Sequence, residues 1–161
     1  MNKKIMLFAV LVLWSALIFS FSSQRAEASA SLSRSLANKV IITVEKFFGI
    51  DIVSNTDDGK ERAGRIFGLV EHYLRKTAHF FLFFALGIIA SALAGEYRQV
   101  HKYATVIALI YCLLYAVSDE IHQIFVPGRA GMIRDVVLDF CGSLTGSFIY
   151  QKTIKNKPER K

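Results

Sequence analysis

The chain has 161 residues, 53% of them apolar, with 13 Phe, 2 Pro and a formal net charge of +7. That length sets one domain, and the composition excludes an ordinary soluble protein, because the apolar residues gather into blocks instead of recurring at helical or strand spacing. The positive balance would suit nucleic acid, but its placement around the blocks has a simpler cause, and no nucleic-acid partner is expected.

The first block, Ile5 to Phe21, is the one that approaches the roughly 17 to 25 apolar residues of a simple spanning helix. Lys3 and Lys4 before it and Ala28-Ser29-Ala30 after it also fit a cleavable signal, but the apolar core is long and the small residues lie well beyond its end, so an uncleaved anchor fits better. In the following stretch Leu32, Leu36, Val40, Val44 and Phe47 recur at i+3 and i+4, which predicts an amphipathic helix lying flat in the membrane interface or packed as a lid. Asp51 to Lys60 reads as a turn-rich polar break. A new helix then starts near Glu61 and runs without interruption into the second block, since Ile66, Leu69, Val70, Tyr73 and Leu74 keep helical spacing.

The later blocks, Phe80 to Ala94, Ala104 to Val117 and Val136 to Tyr150, are short. About fifteen residues reach only some 22 Å, so each block must borrow its polar end to cross roughly 30 Å of hydrocarbon. Those ends are Arg75 to Thr77, Ser118 to Gln123, and Arg134 with Asp135. The expected fold is all-α and integral to the membrane, a single domain with four transmembrane helices at about 5–21, 77–94, 103–118 and 135–150. An amphipathic extracytoplasmic helical segment at about 31–75 lies between the first and second. A soluble bundle is disfavoured because no polar face is large enough to solvate all the helices.

Lys3 and Lys4, Arg98 and Lys102, and Lys152 through Lys161 fall on one side if every block crosses, which places both termini in the cytoplasm of a cell-membrane protein. Cys112 and Cys141 both lie in apolar blocks and imply no disulfide framework. Gly142 and Gly146, with Ser143 and Ser147 beside them, form a small-residue face that permits close helix contact within the chain or across a homodimer.

Three segments then deliver ionisable groups to the outer boundary. Lys76 and His79 are i, i+3; Asp119, His122 and Gln123 are i, i+3, i+4; Asp135 and Asp139 are i, i+4. A carboxylate near a span's centre costs roughly 2.5 to 3.5 kcal/mol on insertion scales and is tolerated mainly when paired, hydrated or functional. Lys76, Arg129 and Arg134 can balance Asp119, Glu120, Asp135 and Asp139 by structural pairing alone. The functional alternative is a half-buried pocket, including His79, His122 and Gln123, that takes an anionic lipid headgroup or a lipid-linked, phosphate-bearing envelope precursor, with arginine's planar fork suited to phosphate.

If chemistry occurs, Glu120, His122 and Asp119 are the candidate catalytic groups, acting as general acid or base in a membrane-embedded hydrolase or transferase with or without a metal. His79, Asp119 and His122 offer ligand types for a metal, but not at a strong zinc spacing, and no cofactor is expected. Ser118 is the one candidate nucleophile with a nearby base, and helix capping is its competing role.

At these residues the sequence resembles the VanZ-like family of bacterial membrane proteins, named after a teicoplanin-resistance protein. The carriers are Phe21-Ser22-Ser23-Gln24, Arg75-Lys76-Thr77-Ala78-His79-Phe80, and Ser118-Asp119-Glu120-Ile121-His122-Gln123 continuing through Pro127-Gly128-Arg129. Arg134-Asp135, Asp139, Gly142 and Gly146 extend the pattern. The resemblance implies a multi-pass protein of the cell envelope, in some members linked to lower susceptibility to lipid-tailed glycopeptide antibiotics. It supplies no established reaction.

Overall fold

The computed structural model describes residues 2–23, 39–49, 57–97, 103–127 and 131–155. Among them are five helices, α1 (Lys3–Ser22), α2 (39–48), α3 (Asp57–Gly95), α4 (Ala104–Ile124) and α5 (Ile133–Lys155), and no strand. The all-α expectation is met.

The helix ends follow from local chemistry. Asn2 Oδ1 accepts the Lys4 N–H at 3.2 Å and opens α1, while the Ser23 N–H and hydroxyl both return to the Phe19 carbonyl, at 2.8 and 2.6 Å, and close it. Gly49 ends α2 at φ 64°, the left-handed conformation that only glycine adopts without strain, and its N–H reaches the Glu45 carbonyl at 2.9 Å. In α2 the buried residue is Ile41 and Val44 is half-buried, whereas Val40 and Phe47 are exposed. Leu32 and Leu36 of the expected stripe lie outside the described residues.

α3 is one helix of 39 residues, roughly 58 Å long, so the expected continuity into the second block holds. It begins at Asp57, inside the stretch expected to be a polar break; acidic residues such as Asp57 and Asp58 favour a first turn. α4 continues past the apolar block to Ile124, which puts the whole of Ser118 to Gln123 on helix. Lys3–Ser22, Gly64–Gly95 and Ala104–Ile124 are long and apolar enough to cross a membrane.

Contacts along the helices fix their directions. Trp14 Nε1 donates to the Leu82 carbonyl at 2.9 Å while Lys3 meets Glu96, so α1 and α3 are antiparallel. Ser15 and the Tyr111 hydroxyl, 2.9 Å apart, and Ser23 Oγ and His122 Nε2, 3.1 Å apart, make α1 and α4 parallel. α5 runs with α3 and against α4. The four long helices thus alternate up and down.

The bundle is apolar outside and small or polar inside. Leu13, Leu114, Val137 and Phe148 are exposed, whereas Ala90, Ala108, Cys112 and Ala116 are buried together with Ser91, Ser143 and Ser147. Water would reject that surface, and lipid accepts it. Cys112 is buried and Cys141 exposed, both as free thiols.

The tightest seam joins α3 and α5. A Cβ on Gly142 would lie 2.5 Å from the Phe80 carbonyl oxygen, and one on Gly146 or Gly87 would meet the backbone of Phe84 or Ser143 more closely still. Across it, Ser143 and Ser147 donate to the Phe83 and Gly87 carbonyls, each at 3.2 Å. Gly146→Ala should therefore cost about 1–3 kcal/mol by overpacking, whereas Gly68→Ala, with open space around it, should be neutral or gain up to about 1 kcal/mol. Thermal melts of the detergent-solubilised protein check this; equal midpoints for the two variants contradict the seam.

Candidate functional site

The α3–α5 seam leads at one end into charge. Above the serines, His79 and Lys76 of α3 face Asp139 and Asp135 of α5: Lys76 Nζ pairs with Asp135, and His79 Nδ1 lies 3.5 Å from Asp139 Oδ2. α4 comes up against both and adds Asp119, Glu120 and Gln123, all buried. Asp119 is 2% exposed and Asp139 1%, which places two carboxylates among the most enclosed side chains of the described bundle.

Each of these carboxylates has a committed oxygen. Asp119 Oδ2 accepts the Gln123 amide at 2.9 Å, an i, i+4 bond along α4. Glu120 Oε1 accepts the Met132 backbone N–H at 2.5 Å and so holds the return from α4 to the first turn of α5. The other oxygens, Asp119 Oδ1, Glu120 Oε2 and Asp139 Oδ1, are buried without a hydrogen-bond partner among the described residues. Glu120 also lies within electrostatic reach of Asp135, Asp139 and Lys76. Four carboxylates therefore share the neighbourhood of Lys76 and His79, and the cluster is acidic overall.

His79, Asp119 and Asp139 each bring one ligand-type atom within 4.8 Å of the others. The sequence-based metal set of His79, Asp119 and His122 is not what the fold assembles. His122 turns toward α1, where its Nε2 is 3.1 Å from Ser23 Oγ and its ring sits 4.4 Å from that of Phe19.

The remaining expected residues separate from the cluster. Arg134, on the first turn of α5, is exposed. Ser118 is exposed and its hydroxyl donates to the Tyr115 carbonyl at 2.8 Å, back along its own helix. Arg75 pairs with Glu71 on α3 at 3.0 Å. Arg129 lies outside the described residues. Sequence reasoning did not assign Ser22, Ser23, Phe19 or the Met132 amide to the site. Ser22 and Ser23 stand out in the sequence only through the family resemblance, yet Ser22 is fully buried with its hydroxyl unpartnered among the described residues.

The family model described as VanZ/LLP1 matches residues 7–155, and the chain belongs to the VanZ/LLP1 family. No curated protein and no solved structure matches it. With its apolar helices, it is a membrane protein of that family.

Removing Lys76 leaves Asp135 facing other carboxylates. Lys76→Met should cost roughly 1–3 kcal/mol, less than the 3–5 kcal/mol of a fully buried pair because both side chains remain about a fifth exposed. Lys76→Met combined with Asp135→Leu should recover most of it. A double-mutant cycle on thermal unfolding tests this, and a coupling under about 0.5 kcal/mol would reduce the pair to a surface contact.

Proposed function

We propose that this member of the VanZ/LLP1 family engages an envelope lipid headgroup or lipid-linked precursor at the polar end of its bundle, on the outer face of the cell membrane. The observation that carries the reading is the convergence of Lys76, His79, Asp119, Glu120, Asp135 and Asp139 from three helices at one end of an otherwise apolar bundle. Exposed Ile124, Phe125 and Ile133 border that end, which suits a site at headgroup depth with its rim in hydrocarbon.

In this reading α5 is the fourth span. Its 23 residues reach roughly 34 Å, and its charges Asp135 and Asp139 are turned to α3 instead of to lipid. Orientation rests on the opposite end, where Lys3 pairs with Glu96 and Lys4 lies 4.7 Å over the Tyr97 ring, a basic and aromatic border of the kind found at the cytoplasmic interface. Both termini are then cytoplasmic. α2, with Val40, Ile42, Phe47 and Phe48 exposed, lies in the outer interface. Basic Arg129 and Arg134 recognise phosphate, and the engagement contributes to teicoplanin-type glycopeptide tolerance.

The second reading, a membrane-embedded hydrolase or transferase, is favoured by the uncommitted Glu120 Oε2, a buried carboxylate oxygen available as a general base near Asp135 and Asp139. His122, tied to Ser23, is less free for that task.

Mass spectrometry of lipids retained by gently extracted protein tests the first reading. Wild type should co-purify an anionic lipid at least about 10-fold enriched over the membrane average, equivalent to roughly 1.4 kcal/mol. Arg129→Ala and Arg134→Ala should lose that enrichment at unchanged abundance in the membrane. Identical lipid profiles in all three remove the binding reading; turnover of a lipid substrate abolished by Glu120→Gln establishes the enzymatic one.

A further inference from the structure

We propose that His79, Asp119 and Asp139 bind one divalent transition-metal cation of the zinc or manganese type. The three residues come from α3, α4 and α5, so their relative placement is set by helix packing and not by one flexible segment. One imidazole nitrogen and two carboxylate oxygens within 4.8 Å of one another need only small rotamer adjustments to close on a common centre.

The spacing of His79 Nδ1 and Asp139 Oδ2 is informative. At 3.5 Å it is long for a charge-assisted hydrogen bond. It is close to the separation of about 3.4 Å between two ligands that each sit about 2.0–2.1 Å from a tetrahedral zinc ion.

Independent support comes from the oxygens. Asp119 and Asp139 are more than nine-tenths buried, and each keeps Oδ1 without a hydrogen-bond partner among the described residues. Gln123 donates to Asp119 Oδ2, the outer contact that typically orients a carboxylate ligand and leaves its other oxygen for the ion. Lys76 is drawn away to Asp135 and does not neutralise this pair of acids. A dication with two carboxylates and a neutral imidazole gives a neutral buried site; the imidazole favours zinc over magnesium or calcium, and the two carboxylates also suit manganese.

Three protein ligands leave a fourth position open to water or to a phosphate oxygen. The bridging of a headgroup phosphate rests on the reading proposed above; cation binding does not.

The test uses the full chain in detergent, stripped with EDTA, loaded with ZnCl2 or MnCl2, freed of excess ion and measured by elemental mass spectrometry. Wild type should hold about one equivalent, and its Co2+ form should show the visible bands of a low-coordinate site. His79→Gln and Asp139→Asn should each weaken binding more than about 10-fold, whereas His72→Gln, an exposed histidine on the same helix, should bind like wild type. Should the site variants fail to fold, the wild-type stoichiometry and Co2+ spectrum still decide. Less than about a tenth of an equivalent in wild type, or undiminished binding by folded His79→Gln, overturns the proposal. Because no lipid is needed for this measurement, a negative lipid-retention result leaves it standing; lipid retention lost on EDTA treatment would join the two.

Discussion

Backbone contact between α3 and α5 is the constraint on which the rest of the molecule depends. Lipid gives two apolar helices no hydrophobic reason to associate, so packing and interhelical hydrogen bonds must hold them. Gly87, Gly142 and Gly146 remove the side chains that would keep the axes apart, and Ser143 and Ser147 then reach carbonyls of the facing helix. Phe83 with Ser143, Gly87 with Ser147, and His79 with Asp139 are all 60 residues apart in sequence. One register therefore serves both the small-residue seam and the charged end. Sliding α5 by a single residue would rotate its face by about 100° and carry Asp139 out of reach of His79.

Of the other two long helices, α4 packs on both α3 and α5, and α1 packs on α3 and α4. α4 inserts Asp119 and Glu120 beside the α3–α5 pairs, and Glu120 holds the Met132 amide where the chain turns back into α5. α1 is fastened along α4 by Tyr115 to the Ser15 carbonyl at 2.6 Å and by Ser23 to His122, and along α3 by Trp14. These bonds bury polar groups that hydrocarbon would not solvate, so they fix α1 more firmly than its apolar contacts can. The carboxylates are positioned by the same economy: Gln123, Met132 and His79 each engage one oxygen of Asp119, Glu120 and Asp139, and the second oxygen points to whatever else the cluster holds.

Much of this was legible along the chain wherever one helix supplied both members of a relation. The apolar runs gave α1 and α4, the spacing of Ile66, Leu69 and Tyr73 gave the unbroken α3, and Asp119 with Gln123 at i, i+4 is a bond in the fold. What one helix cannot say is which neighbour each part of a stripe will meet. His122, three residues after Asp119, is turned some 60° from it, enough to leave α3 and α5 and face α1. Its partner Ser23 is 99 residues distant, and no helical spacing links the two.

The sign of the charge orders the possible functions. Asp119, Glu120, Asp135 and Asp139 outnumber Lys76 and His79, and Lys76 is already paired, so a phosphate entering the buried part of the cluster meets repulsion at short range in a medium that screens poorly. Exposed Arg134 can hold an anion only at the rim. A dication held by Asp119 and Asp139 would cancel their charge and offer an open coordination position where an anion must approach, at a depth that a surface arginine does not reach. On the proposed reading, recognition of an anionic headgroup would depend on the acidic residues as much as on the basic ones, because they determine what positive charge can be placed between α3, α4 and α5.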